Sequence, residues 1–233
     1  MSNFNFGSFS NATAVSSAKR QLKPYDIYQV KFNGAELKTL EKKDDPNTKF
    51  ETIQLHFEGE DGIFEPNIFY PSREQDAERP TYKNANGHDY QRPSVLENTM
   101  YTLLQLLTVL DAEGAEKFKA NVGKAKSFAD VAKMFATLAD KKKGTDMYIK
   151  LDGRNSNGVV YAQLPNAVGL NRNGELFPVN IFSLTNTLAL SAYELQKQVS
   201  YRNAKPTVMV SKNDPLAVET VEEVDIDFDN LLG

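Results

Sequence analysis

Cationic and aromatic side chains alternate in two stretches of this chain. Tyr70, Arg73, Arg79, Tyr82, Lys83, Tyr90 and Arg92 fall in or just before a polar segment, residues 71–93, reading PSREQDAERPTYKNANGHDYQRP. Tyr148, Lys150, Arg154 and Tyr161 form a second group. The chemistry open to such a mixture is phosphate neutralisation by the cations and stacking of bases on the rings. It suits a single nucleic-acid strand, whose base faces are free, and it tolerates any base sequence. Half-buried packing tyrosines on a solvated charged face would give the same pattern, and the sequence does not separate the two readings.

A third feature is the end of the chain, DPLAVETVEEVDIDFDNLLG, residues 214–233. It carries seven acids and no Lys or Arg. The whole chain has 27 Lys+Arg against 31 Asp+Glu, so setting those seven aside leaves 27 against 24, a formal +3 for residues 1–213. A like-charged block repels itself and stays extended, as interaction tails do. Asp225, Ile226, Asp227, Phe228, Asp229, Leu231 and Leu232 mix acid with apolar anchors, the composition of a short peptide that docks on a partner protein. A purely solubilising tail is the plainer alternative.

Several chemistries are excluded or weakly supported. Cys is absent and His numbers 2, which removes disulfides, thiol catalysis and cysteine zinc sites. There is no GxxxxGK[ST] phosphate loop, GxSxG elbow or HExxH helix. His56 and His88 are isolated and suggest no triad. Glu36-Leu37-Lys38 has the acid-x-Lys spacing of a metal nuclease strand, but Asp26 is a poor second acid, and such triplets are common on charged strands. The chain therefore reads as a non-enzymatic protein with no catalytic residues, cofactor or metal. It has no apolar run of transmembrane length and no secretory signal, so a cytoplasmic protein with no membrane partner is expected.

The elements that would position these residues follow from hydrophobic period. Tyr28, Val30 and Phe32 alternate with polar residues, as do Ile53, Leu55 and Phe57. Asn33-Gly34 and Asp61-Gly62 read as turns, with Leu37 and Leu40 on a separate strand between them and a further strand over 63–70. Residues 71–93 show no apolar period and read as a long functional loop. Ser94 and Glu97 form a capping box for a helix with Leu96, Met100, Leu103, Leu104, Leu107 and Leu110 on one face. A short helix is expected over 115–122, and another after Ser127, buried through Phe128, Val131, Phe135 and Leu138. Met147, Ile149 and Leu151 begin a second set of strands, followed by strands over 159–164 and 175–182 and a helix over 185–198.

The layout predicts a β-rich α+β fold: an OB-like, partly open five-stranded barrel with a helical insertion at about 71–144. Residues 1–24 read as a flexible arm, 25–205 as one domain, and 206–233 as linker and disordered acidic tail.

This strand-rich body with its insertion, together with the tail VEEVDIDFDNLLG over residues 221–233, resembles phage single-stranded DNA-binding proteins of the OB-fold type. The tail departs from the common pattern in that Phe228 is followed by Asp229, Asn230, Leu231, Leu232 and Gly233. Trp is also absent, leaving stacking to Tyr and Phe. The resemblance implies a protein that coats and protects single-stranded DNA during replication or recombination, with possible self-association on the strand. It also implies that the tail recruits replication or recombination proteins and competes with DNA for the basic groove. A phage protein would work in the cytoplasm of its bacterial host. A structural or assembly protein, for instance of a virion, with flexible interaction arms is the first alternative; a metal-dependent nuclease is the second.

Overall fold

The computed structural model describes residues 20–42, 45–69, 77–83 and 86–203. The described residues other than Asn203 belong to one compact unit, Met1–Arg202. Among them the fold is β-rich α+β: a seven-stranded antiparallel sheet, two two-stranded sheets and four α-helices. No helix among the described residues is long and apolar enough to cross a membrane. Residues 1–19 of the arm expected over 1–24, and the expected linker and tail, residues 206–233, lie outside the described residues.

The organising strand is β1 (Asp26–Lys42). Its first half, Asp26 to Phe32, pairs with β7 (Thr145–Ser156), and Lys31 to Lys42 pairs with β2 (Asp45–Gly59). The turn expected at Asn33-Gly34 is instead a bulge inside one continuous strand, where the β1–β2 register shifts between Phe32 and Gly34. Gly34 has φ +118°, a conformation that a side chain rarely adopts, so glycine here bends the strand rather than ending it. The chain after the helices seals the bend: Gly144 N–H donates to the Phe32 carbonyl at 2.8 Å, and Ala35 N–H to Asp140 Oδ1 at 3.1 Å.

Around this strand the sheet runs β11 (Phe182–Ser183), β7, β1, β2, β3 (Gly62–Phe64). In addition β4 (Asn67–Phe69) pairs with β2, and β8 (Val159–Gln163) pairs with β7. Among the described residues no pairing joins β8 to β3 or β4, so the sheet stays open between them. Residues 20–22 fall in the stretch expected to be a flexible arm, yet they lie along β3. Leu22 N–H donates to Ile63 O at 3.0 Å, and its side chain is buried.

Helices α1 (Val95–Leu110), α2 (Ala112–Val122) and α3 (Phe128–Ala139) intervene between β4 and β7. Both expected N-termini form full capping boxes, Ser94 with Glu97 and Ser127 with Asp130. The α1 stripe is rotated from the expected one. Leu103, Leu106, Leu107 and Leu110 are buried, whereas Leu96 is exposed. These leucines meet Phe118, Phe128 and Phe135 from the neighbouring helices and Phe32, Leu55, Phe57, Met147 and Ile149 from the sheet in one core. Burial of this apolar surface on both sides of the sheet–helix boundary is what holds the insertion to the strands.

The later elements differ more from expectation. Residues 175–182 give two short strands, β10 (Leu176–Pro178), which pairs with β9 (Val168–Leu170), and β11. The last helix, α4, spans Ala192–Asn203. It starts seven residues later than expected because Ser183, Thr185 and Thr187 hydrogen-bond among themselves, and because Ser191 and Glu194 make the capping contacts.

Candidate nucleic-acid interface

The polar segment expected to be a loop contains a hairpin, β5 (Thr81–Lys83) and β6 (Asp89–Gln91). Asn86-Gly87 at its turn was a legible signal, and Gly87 has φ +79°. Tyr82 and Tyr90 are cross-strand partners with ring centroids 5.8 Å apart. Arg92 lies against both: its guanidinium carbon is 4.7 Å from the Tyr82 centroid and 5.5 Å from that of Tyr90. Arg92 Nη2 also donates to the Tyr90 hydroxyl at 3.0 Å. Both rings are more than a third exposed, so this cation–aromatic stack is preassembled on the surface. Lys83 sits exposed beside it on β5.

A second aromatic–cation pair stands on the β7–β8 hairpin, where Arg154 and Tyr161 are cross-strand partners. Both are exposed, Tyr161 to 55%. An open groove of about 860 Å³ runs between the two hairpins, and Tyr82, Arg92, Arg154 and Tyr161 all line it. It is also lined by the β3–β4 connection, by Asn67 of β4, and by the first turns of α1, including Asn98 and Thr102. The groove thus lies where the sheet is open between β4 and β8.

The remaining candidates behave differently. Arg79 is not a free cation. Its Nε and Nη2 both bond Glu97 Oε1, at 2.9 and 2.7 Å, and its Nη1 donates to the Gly174 carbonyl at 2.8 Å. It acts as a fastener at the base of the hairpin, a role the sequence did not suggest. Lys150 is also removed from the interface. Its side chain is buried, with Nζ 2.7 Å from Glu194 Oε2 and 3.1 Å from the Ala189 carbonyl. Period-two alternation had placed it outward, but α4 and residues 184–191 cover that side of β7. Tyr148 is half-buried, bonded to Gln29, and does not line the groove. Tyr70 and Arg73, and the tail residues Asp225, Ile226, Asp227, Phe228, Asp229, Leu231 and Leu232, lie outside the described residues.

Electrostatics reinforce the fastening. The Arg79 hydrogen bond, aided by the Ser94 backbone, holds the Glu97 carboxyl below its ordinary range against the opposing effect of burial. For Glu194 burial pushes upward, but hydrogen bonds from Lys150 and Ser191 outweigh it and the carboxyl is lowered. Both acids are therefore held as carboxylates and used within the fold.

The Glu36–Lys38 pair has internal partners too. Glu36 Oε1 is 3.7 Å from His56 Nε2, and Lys38 Nζ donates to Gln54 at 2.9 Å. Asp26 is bonded by Arg202 at 2.8 Å. Among the described residues no group of three or more Asp, Glu or His side chains is arranged to hold a metal ion. The chain matches no protein-family model, no curated protein and no solved structure.

Proposed function

We propose that this chain binds single-stranded DNA without strong sequence preference, coating it in replication or recombination, with the groove between the two hairpins as the strand's path. The observation that carries this reading is the convergence of Tyr82, Arg92, Arg154 and Tyr161 on one open groove from distant parts of the sequence. Exposed rings provide stacking faces, and the two guanidinium groups meet the phosphates between stacked bases.

The finer fold reading is an OB-type barrel. Its support is connectivity: β1 pairs with both β2 and β7, the helices fall between β4 and β7, and β8 follows β7. In that wiring the β7–β8 turn is the connection between the fourth and fifth barrel strands, one of the loops with which such folds grip oligonucleotides. The tail would recruit a replication or recombination partner. The test is a titration of the intact chain with single-stranded DNA, the corresponding duplex and single-stranded RNA. Tighter binding of single-stranded DNA than of duplex is expected; equal affinity for the two rejects the reading.

An assembly protein is the second reading, favoured by Leu184, Tyr193, Leu195 and Val199, which are 47–65% exposed in or near α4. Sedimentation without nucleic acid distinguishes it, since a DNA coat needs the strand to assemble.

A further inference from the structure

β7 changes partner along its length. It pairs with β1 as far as Leu151, opposite Asp26, and with β8 from Asp152 onward. The hairpin that carries Arg154 and Tyr161 to the groove therefore stands beyond the β1 ladder, and Arg154 to Gly158 are exposed. Gly153 lies just past this changeover, and the ring of Tyr25 lies against it: a methyl group on Gly153 would overlap the ring's Cζ and hydroxyl. The Tyr25 hydroxyl also donates to the Gly153 carbonyl at 3.4 Å. Tyr25 has φ +59°, in the left-handed region that a bulky residue rarely occupies. Such a conformation persists where surrounding contacts over-determine it. Helix α4 supplies those contacts. Gln198 Nε2 donates to the Tyr25 carbonyl at 2.7 Å, Tyr201 meets the Tyr25 ring edge-on with centroids 6.3 Å apart, and Arg202 bonds Asp26, the next residue, at 2.8 Å. Neither Tyr25 nor Gly153 lines the groove.

We infer that Tyr25 is a positioning residue for strand binding: its ring, held by α4, sets the angle at which the β7–β8 hairpin leaves the sheet and so aims Arg154 and Tyr161 at the groove. This rests on the single-strand reading above and adds to it a residue that touches no DNA. Glycine at 153 is what lets the ring come so close to the β7 backbone. A stacking ring and a phosphate-binding guanidinium work only when held close to their productive placement by packed neighbours. Without the Tyr25 ring the hairpin is free to swing, and the cost of ordering it falls on binding.

The test uses the intact chain and an oligothymidylate at low ionic strength. Tyr25→Ala is expected to bind about tenfold more weakly than wild type, the scale of one stacked base. Tyr25→Phe keeps the ring on Gly153 and should bind like wild type. In a chain already carrying Arg154→Ala and Tyr161→Ala, Tyr25→Ala should cause no further loss. In a chain carrying Tyr82→Ala its tenfold loss should remain in full, because only residues that act through one another depart from additivity. A merely structural role would lower affinity alike in both backgrounds. Gly153→Ala pushes the ring away from the hairpin side and should repeat the pattern, so the result does not depend on how Tyr25→Ala folds. Unchanged affinity in these variants, or an equal loss in the two backgrounds, overturns the role of Tyr25 while leaving single-strand binding intact. Failure of wild type to bind the oligothymidylate overturns both.

Discussion

Arg79 and Glu97 are joined by a forked contact, Nε at 2.9 Å and Nη2 at 2.7 Å from the same carboxylate oxygen. The other oxygen accepts the Ser94 N–H at 2.8 Å, so one carboxylate both caps α1 and pins the strand leading into the β5–β6 hairpin. Arg92 N–H closes the hairpin's base on the Pro80 carbonyl at 3.1 Å. Arg79→Lys keeps the charge but loses the fork, and the two residues are not interchangeable at such a site. The expected result is faster amide exchange at Tyr82, Lys83 and Tyr90 with unchanged exchange in α1 and the core, and several-fold weaker strand binding. Unaltered hairpin exchange would show that Arg79 does not position it.

The same contact sets a pH dependence. Glu97 is held below the ordinary glutamate value of about 4.3, so its stabilising contribution is complete above that value. It is lost as pH falls through the lowered folded value. Hairpin protection should therefore be flat from about pH 8 to 5 and decline below about pH 4. Glu97→Gln should remove that decline at the hairpin, while a global acid transition persists because the lowered Glu194 contributes in the same direction. A hairpin that loosens on raising the pH from 5 to 8 contradicts the assignment.

Lys150 provides a contrasting case, because its partner Glu194 is nearly as buried as it is, their side chains being 9% and 15% exposed. Lys150→Met leaves a carboxylate without its cation and should cost about 3 kcal/mol in chemical denaturation. Adding Glu194→Leu should recover much of that loss, since an apolar pair often replaces a buried ion pair without penalty. Strand affinity should be unaffected under conditions where both variants are folded. Reduced affinity with full stability would return Lys150 to the interface.

Tyr82 and Tyr161 should behave in the opposite way. They are 43% and 55% exposed, so truncation removes little packing. Tyr82→Ala and Tyr161→Ala are each expected to weaken strand binding by about 1–3 kcal/mol if a base stacks there, with melting temperatures shifted little. Stability lost at unchanged affinity would make them packing residues.

What the sequence revealed here and what it hid have physical reasons. Alternation found Val30, Phe32, Ile53, Leu55, Phe57, Met147, Ile149 and Leu151, all buried, because period two and burial on one sheet face are the same fact. The Ser94–Glu97 capping box and the cap residue Ser127 marked two helix starts because capping bonds are local. Asn33-Gly34 misled because a bulge and a turn both need a residue at positive φ; only pairing on both sides of β1 decides between them. Arg79 and Lys150 looked like free cations because their acids, Glu97 and Glu194, lie 18 and 44 positions away in sequence.

The charge arrangement makes the last prediction. With Arg79 and Lys150 engaged internally, the expected interface cations left among the described residues are Arg92 and Arg154, which line the groove, and Lys83, exposed beside Tyr82. Neutralising about three phosphates of a single strand gives a slope of log affinity against log salt near −2. The tail, outside the described residues, brings seven acids and no cation into the same chain. On the proposed reading, a tethered anionic segment at high effective concentration would compete with phosphates for those cations. Deleting residues 214–233 should therefore tighten strand binding most at low ionic strength, where the Debye length is long, and make little difference in high salt. Replacing Ile226 and Phe228 with Ser keeps every acid, so DNA competition should persist while a partner that buries those side chains is lost. Equal low-salt affinity of the truncated and intact chains would rule out the tail as a competitor, whatever its partner proves to be.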